Sequence, residues 1–224
     1  MRPRAQARGR RLPGITMTIT RRSVLITGLL AGLATINAGV LAQSAPVRVR
    51  VQTELGDIVI AVDQAKAPVT AANFLKYVDA GHFDGGTWHR TVKMDNQPES
   101  TIKIEVIQAG VNPDRAKESF PAIALERTNK TGLLHKDGVI SMARGAADSA
   151  TSGWFICIND QPSLDFAGMR NPDGQGFAAF GRVVSGMDVV LKIQAAPSSA
   201  TRTTNTEAQR LTPPIKIVKV ARIP

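Results

Sequence analysis

Apolar residues recur at every second position in short runs divided by turn-forming clusters, and this period constrains the fold more than any other feature. Val47, Val49 and Val51 alternate with Arg48, Arg50 and Gln52; after Leu55-Gly56-Asp57, Ile58, Ile60 and Val62 resume the period. Alternate residues of a strand share one face, so the segment reads as a β-hairpin with a single buried side. Further β-type segments fall at 102–108, 139–143, 154–159 and 177–184, and Ile215, Ile217, Val218 and Val220 supply a last strand.

The period changes to helical spacing twice. Ala71, Phe74, Leu75 and Val78 follow the start signals Pro68 and Thr70 and precede Gly81, which predicts a helix over 68–80. Met187, Val190, Leu191 and Gln194 after Gly186 predict a second, and the polar stretch 197–212 reads as a long surface loop. No repeat and no steady β-α alternation is present. The expected fold class is therefore mainly β, an antiparallel barrel closed by two helices, in preference to α/β.

Ahead of this pattern lie Arg2, Arg4, Arg8, Arg10, Arg11, Arg21 and Arg22 with no acidic residue, then an apolar run from Val24 to Ala42 broken by glycines. A basic region, an apolar stretch and small residues in that order mark an export signal over 1–42. Val40 and Ala42 place cleavage after Ala42, with Ala45 as second choice; Arg21-Arg22 looks like a twin-arginine signal, and Met17 is an alternative start. An uncleaved anchor is the competing reading. The expectation is a periplasmic domain over 46–224, about 180 residues, enough for one core. Removing seven arginines from the formal +10 leaves about +3, so no nucleic-acid partner is implied, nor a membrane once the signal is gone.

Several chemistries lack their residues. Cys157 is the only cysteine, so an internal disulfide is impossible, and within Trp154 to Ile158 it reads as a small buried hydrophobe. His82, His89 and His135 have no metal-ligand spacing, no Gly-x-Ser-x-Gly turn occurs, and Ser152 has no histidine nearby in sequence.

The informative segments are Trp88-His89-Arg90-Thr91-Val92, Val106-Ile107-Gln108-Ala109-Gly110, Gly138-Val139-Ile140-Ser141-Met142-Ala143-Arg144, Trp154-Phe155-Ile156 and Phe180-Gly181-Arg182-Val183-Val184. In this order, with Ala67-Pro68-Val69-Thr70-Ala71-Ala72-Asn73-Phe74 ahead of them, they resemble the cyclophilin family from about Val47 to the last strand. The resemblance implies an eight-stranded antiparallel barrel capped by two helices, binding proline-containing polypeptides in an exterior groove without cofactor or metal. The oligomeric state is left open by the sequence, with a monomer as the default. It implies peptidyl-prolyl cis-trans isomerisation with Arg90 catalytic and Gln108 bonding the peptide backbone. Phe155, Met142 and Val106 would form the proline pocket, Ala143 and Arg144 the contact with the residue before proline, and Leu164 the pocket edge.

That chemistry suits the residues. The barrier of about 18–20 kcal/mol comes from amide resonance, so no nucleophile is required. Twisting localises a lone pair on the prolyl nitrogen, and a fixed guanidinium can donate to it.

The chain also departs from the family's pattern. Glu105-Val106 stands where Phe-Met is usual, which predicts a carboxylate in an opened pocket wall; Gly153 replaces a glutamine, Ser163 a tryptophan, and Phe177 a histidine. The stretch 93–101 is longer than usual and is expected to form a lid or partner-binding loop. These differences motivate an alternative reading, a weakly catalytic or inactive proline-peptide-binding or chaperone module on the same barrel.

Overall fold

The computed structural model describes residues 45–201 and 203–224; the export segment read over 1–42 lies outside them. The strands are β1 (Val47–Thr53), β2 (Gly56–Val62), β3 (Thr87–Val92), β4 (Val106–Gly110), β5 (Val139–Met142), β6 (Trp154–Cys157), β7 (Ala178–Ser185) and β8 (Arg210–Ile223). They close into one barrel in the order β1-β2-β7-β5-β6-β4-β3-β8, every neighbouring pair antiparallel. The eight-stranded antiparallel barrel expected from the motifs is thus the observed fold.

Period-two patterning builds it. Val49, Val51, Ile58, Ile60, Val62, Ile107, Ile140, Ile156 and Ile217 are fully buried and fill one interior cluster. Closure needs very close contact between β2 and β7: a Cβ on Gly181 would lie 2.3 Å from the Ala61 carbonyl oxygen, so only glycine fits.

Two helices cover the barrel. The first, α1 (Pro68–Asp79), buries Ala71, Phe74, Leu75, Tyr77 and Val78, and the Phe74 ring lies 5.5 Å from Trp154 and 5.1 Å from Phe180. Two four-residue helices flank the second long one in chain order: α2 (Thr128–Thr131), α3 (Met187–Ala195) and α4 (Asn205–Ala208). The inner face of α3 is Val189, Val190 and Ile193; Leu191, one of the residues whose spacing predicts the helix, is 47 % exposed. Val190 and Ile193 are one turn apart, and Leu191 lies a helical step outside that stripe.

Three further expectations change. Residues 102–105 precede the ladder, which starts at Val106. The stretch 197–212 is not simply a surface loop: it contains α4, the start of β8, and the buried Ala208, Gln209 and Leu211. Nor is 93–101 a lid. Asn96 and Gln97 are buried; Asn96 donates to the Thr91 carbonyl, and Gln97 exchanges bonds with both the N–H and the C=O of Ile104. Side-chain amides here take over the role a strand partner would play, which fastens the loop to the barrel.

Candidate active site

Because side chains alternate across a strand, each barrel strand also presents an outer row, and three such rows converge. Arg90 on β3 is the direct cross-strand partner of Gln108 on β4, and Gln108 is the direct partner of Phe155 on β6. Adjacent strands are about 4.8 Å apart. Arg90, Gln108 and Phe155 therefore stand side by side on the outer surface. Arg90 reaches this row through an irregularity in the β3 register between Trp88 and Arg90: Trp88 points into the core, and the extra residue His89 turns the Arg90 side chain outward.

The row borders a cavity of about 220 Å³. Its apolar wall is Ile104, Val106, Phe155, Leu164 and Phe177, and its polar side is Arg90, Gln108 and Arg170. Beneath it lies a second apolar cluster, separate from the barrel interior, of Val92, Ile104, Val106, Phe155, Cys157 and Leu164. A larger hollow of about 280 Å³ between β2, β7 and β5 holds none of the motif residues that chemistry singles out. We take the smaller cavity as the site because the guanidinium, the amide and the aromatic ring converge there.

Arg90 is held on two sides. Its Nη1 donates to Gln108 Oε1 at 2.8 Å, while Nε and Nη2 both donate to Gln209 Oε1 at 2.8 and 2.6 Å. Gln209 is fully buried and donates to the Asn96 carbonyl at 3.0 Å. Burial, then the charge of Arg170, bring the Arg90 pKa down to about 10, which still leaves the guanidinium charged at neutral pH. Burial lowers His89 from its usual value.

Two rings pack against Phe155. Phe177 meets it edge-on at 5.7 Å, and His135 stacks at 6.1 Å. His135 Nδ1 lies 2.7 Å from Asp165 and Nε2 lies 2.9 Å from the Ser141 hydroxyl. This is the residue set of a hydrolytic triad, yet Ser141 is 0 % exposed and His135 1 %, so no substrate carbonyl can reach the hydroxyl. The trio braces the ring. Cys157, a member of the apolar cluster beneath the cavity, has its thiol pushed well up by burial.

Of the residues singled out from sequence, the structure brings Arg90, Gln108, Val106, Phe155, Ala143, Arg144 and Leu164 to the cavity. Met142 is the exception. It is 1 % exposed and belongs to the barrel interior, because on β5 Ile140 and Met142 face inward while Ser141 and then Ala143 face out. Glu105 is likewise not a pocket wall: Ile104, Val106 and Gln108 take the outward positions, and the Glu105 carboxylate accepts from Asn159 and Gln194. Sequence reasoning missed Gln209 and Arg170. Gln209 sits in a stretch whose polarity reads as surface, and Arg170 in one with no periodicity.

A closed eight-stranded barrel with two covering helices and an outer arginine–amide–aromatic site defines the fold class. The comparisons carry it further. The family model for cyclophilin type peptidyl-prolyl cis-trans isomerase/CLD matches residues 48–222. The chain is 34% identical over 155 residues to peptidyl-prolyl cis-trans isomerase cyp18 of Streptomyces antibioticus, covering 69% of this chain and 87% of the relative. It is 35% identical over 143 residues to peptidyl-prolyl cis-trans isomerase B of Escherichia coli, covering 63% and 80%. The solved cyclophilin type isomerase of Cryptosporidium parvum, crystallised in the presence of the dipeptide Ala-Pro, superposes with a TM-score of 0.60 at 18% identity, over 79% of this chain and 99% of that one. The chain belongs to the cyclophilin-type peptidyl-prolyl cis-trans isomerase family and is an enzyme of that class.

Proposed function

We propose that Arg90 carries the isomerisation by stabilising the twisted X-Pro amide, and that the clients are exported polypeptides. The observation that carries the mechanism is the row Arg90, Gln108, Phe155 beside one cavity. The apolar wall, with Phe155 and Leu164, takes the pyrrolidine ring, whose burial is favourable and leaves rotation about the amide free. Gln108 has its Nε2 donor available to the peptide backbone while its oxygen holds Arg90. One hydrogen on each terminal nitrogen of Arg90 lies outside the bonds to the two glutamines.

As the amide twists, resonance is lost and the prolyl nitrogen becomes a lone-pair acceptor. A guanidinium already held in place favours that geometry over either planar form without reorganising. Ala143 and Arg144 line the cavity, and their backbone would contact the residue before proline.

Support for export comes from the arginine-rich, acid-free start and its apolar run. Uncatalysed X-Pro isomerisation takes tens to hundreds of seconds, slow enough to limit folding of such chains. The test is isomerisation of a proline tetrapeptide by the chain from Gln43 onward, beside Arg90→Ala checked by circular dichroism. A fall of about 10²-fold in the folded variant is expected. No turnover from folded wild type would favour the peptide-binding module, which Gly153 in place of a glutamine and Phe177 in place of a histidine support.

A further inference from the structure

The cavity carries more positive charge than twisting an amide requires. Three arginines line it, and no carboxylate is among its described lining residues. Arg144 is spoken for: its side chain is 1% exposed and its nitrogens donate to both Asp173 oxygens and to the carbonyls of Gly145 and Gly176. Arg170 differs. Its Nη1 donates to the neutral Ile102 carbonyl, and among the described residues no carboxylate pairs with it.

The placement of Arg170 is built rather than incidental. It sits in a loop between Leu164 and Phe177 that is tied down along its length. Arg170 N donates to the Ser163 carbonyl at 3.0 Å, Ala167 N to Gly174 at 2.8 Å, and the Asn171 side chain to Gly145 at 3.2 Å. The Arg144–Asp173 ion pair closes the far side of the loop. Just before Arg170, Ala167 and Met169 are left-handed, at φ 64° and 62°. Side-chain-bearing residues keep that conformation only where surroundings enforce it, and such enforced strain gathers at functional sites.

We propose that this cavity selects proline peptides carrying an aspartate or glutamate next to the proline, with Arg170 receiving the carboxylate. The proposal rests on the proline-peptide reading of the same cavity. Two guanidiniums close enough to repel, Arg90 and Arg170, share a partly desolvated space, and a carboxylate arriving there relieves the repulsion as well as gaining an ion pair. An arginine fork also suits a carboxylate geometrically. Specificity of this kind falls with ionic strength, because Arg170 is only partly buried.

The experiment compares tetrapeptides that differ only in the residue before or after proline: Glu, Gln and Lys. Both kcat/KM and binding affinity are measured, with wild type, Arg170→Gln and Arg170→Lys, at low and high salt. The expected result is a Glu-over-Gln preference of about fivefold at low salt, with Lys poorest. The preference shrinks at high salt, is lost in Arg170→Gln and is kept in Arg170→Lys. Equal treatment of Glu, Gln and Lys at both positions overturns the proposal, as does a preference that survives Arg170→Gln. Absent turnover of every peptide would sink the isomerase reading alone, since the affinities still decide the acidic preference.

Discussion

Gln209 Oε1 accepts two hydrogen bonds from Arg90, one from Nε and one from Nη2, and so fixes both the direction and the rotation of the guanidinium plane. These residues are 119 positions apart in sequence and meet because β3 and β8 are neighbours in the barrel. On the proposed mechanism Gln209 is a positioning residue. Gln209→Leu is expected to lower kcat about tenfold with little change in KM, because orientation and not binding is lost. A shifted and broadened Arg90 Nε–H resonance would accompany it; an unmoved resonance together with unchanged kcat would refute the role.

Gly153 offers a gain of function. A Cβ there would sit 3.5 Å from the Ala143 Cβ and 3.9 Å from Gln108 Nε2, ordinary contacts, so a side chain fits without moving the backbone. Gly153→Gln adds an amide at the edge of the site, and kcat/KM is expected to rise several-fold, since one hydrogen bond contributes about 1 kcal/mol. Lower or unchanged kcat/KM in a folded variant counts against the cavity as the reaction site.

Met142 and Phe155 separate core from pocket. Both are nearly inaccessible, at 1 % and 5 % exposure, but they belong to different clusters. Each alanine variant is expected to lose about 3 kcal/mol of stability in urea unfolding. Below the melting range, only Phe155→Ala should raise KM. A raised KM in Met142→Ala would return that residue to the pocket wall.

Acid should release the loop that carries Arg170. The hydrogen bonds from Arg144 hold Asp173 down to about 2, against an ordinary value of 3.8. A depressed carboxylate pKa stabilises the fold above the ordinary value, and that contribution is lost as pH falls from 3.8 through about 2. Wild type should therefore melt above Asp173→Asn at about pH 5, and the two melting temperatures should converge near pH 2. A constant gap across that range would show that the ion pair is not responsible.

The parts of the fold legible in sequence were those where side-chain period and burial coincide. The β1–β2 hairpin and α1 match the expectation closely because Val49, Val51, Ile58 and Phe74 all face one interior. The candidate site was legible where local motifs carried it: Arg90, Gln108 and Phe155 lie on strands whose outer positions come from alternation. Met142 was misplaced because its motif neighbour Ala143 faces the cavity, and a single-residue step changes sides of a sheet. Gln209 and Arg170 were invisible for another reason. Their partners come from distant parts of the chain, and a buried glutamine in a polar stretch differs from a surface one only in tertiary contacts.

Closure of β1 against β8 has a consequence for how any extended peptide can meet this barrel. An open sheet would offer a client a row of unpaired N–H and C=O groups, and client strands would add to it as they do to growing fibrils. Among the described strands each has a partner on both sides, so a bound polypeptide meets side chains in a shallow exterior hollow and no free ladder edge.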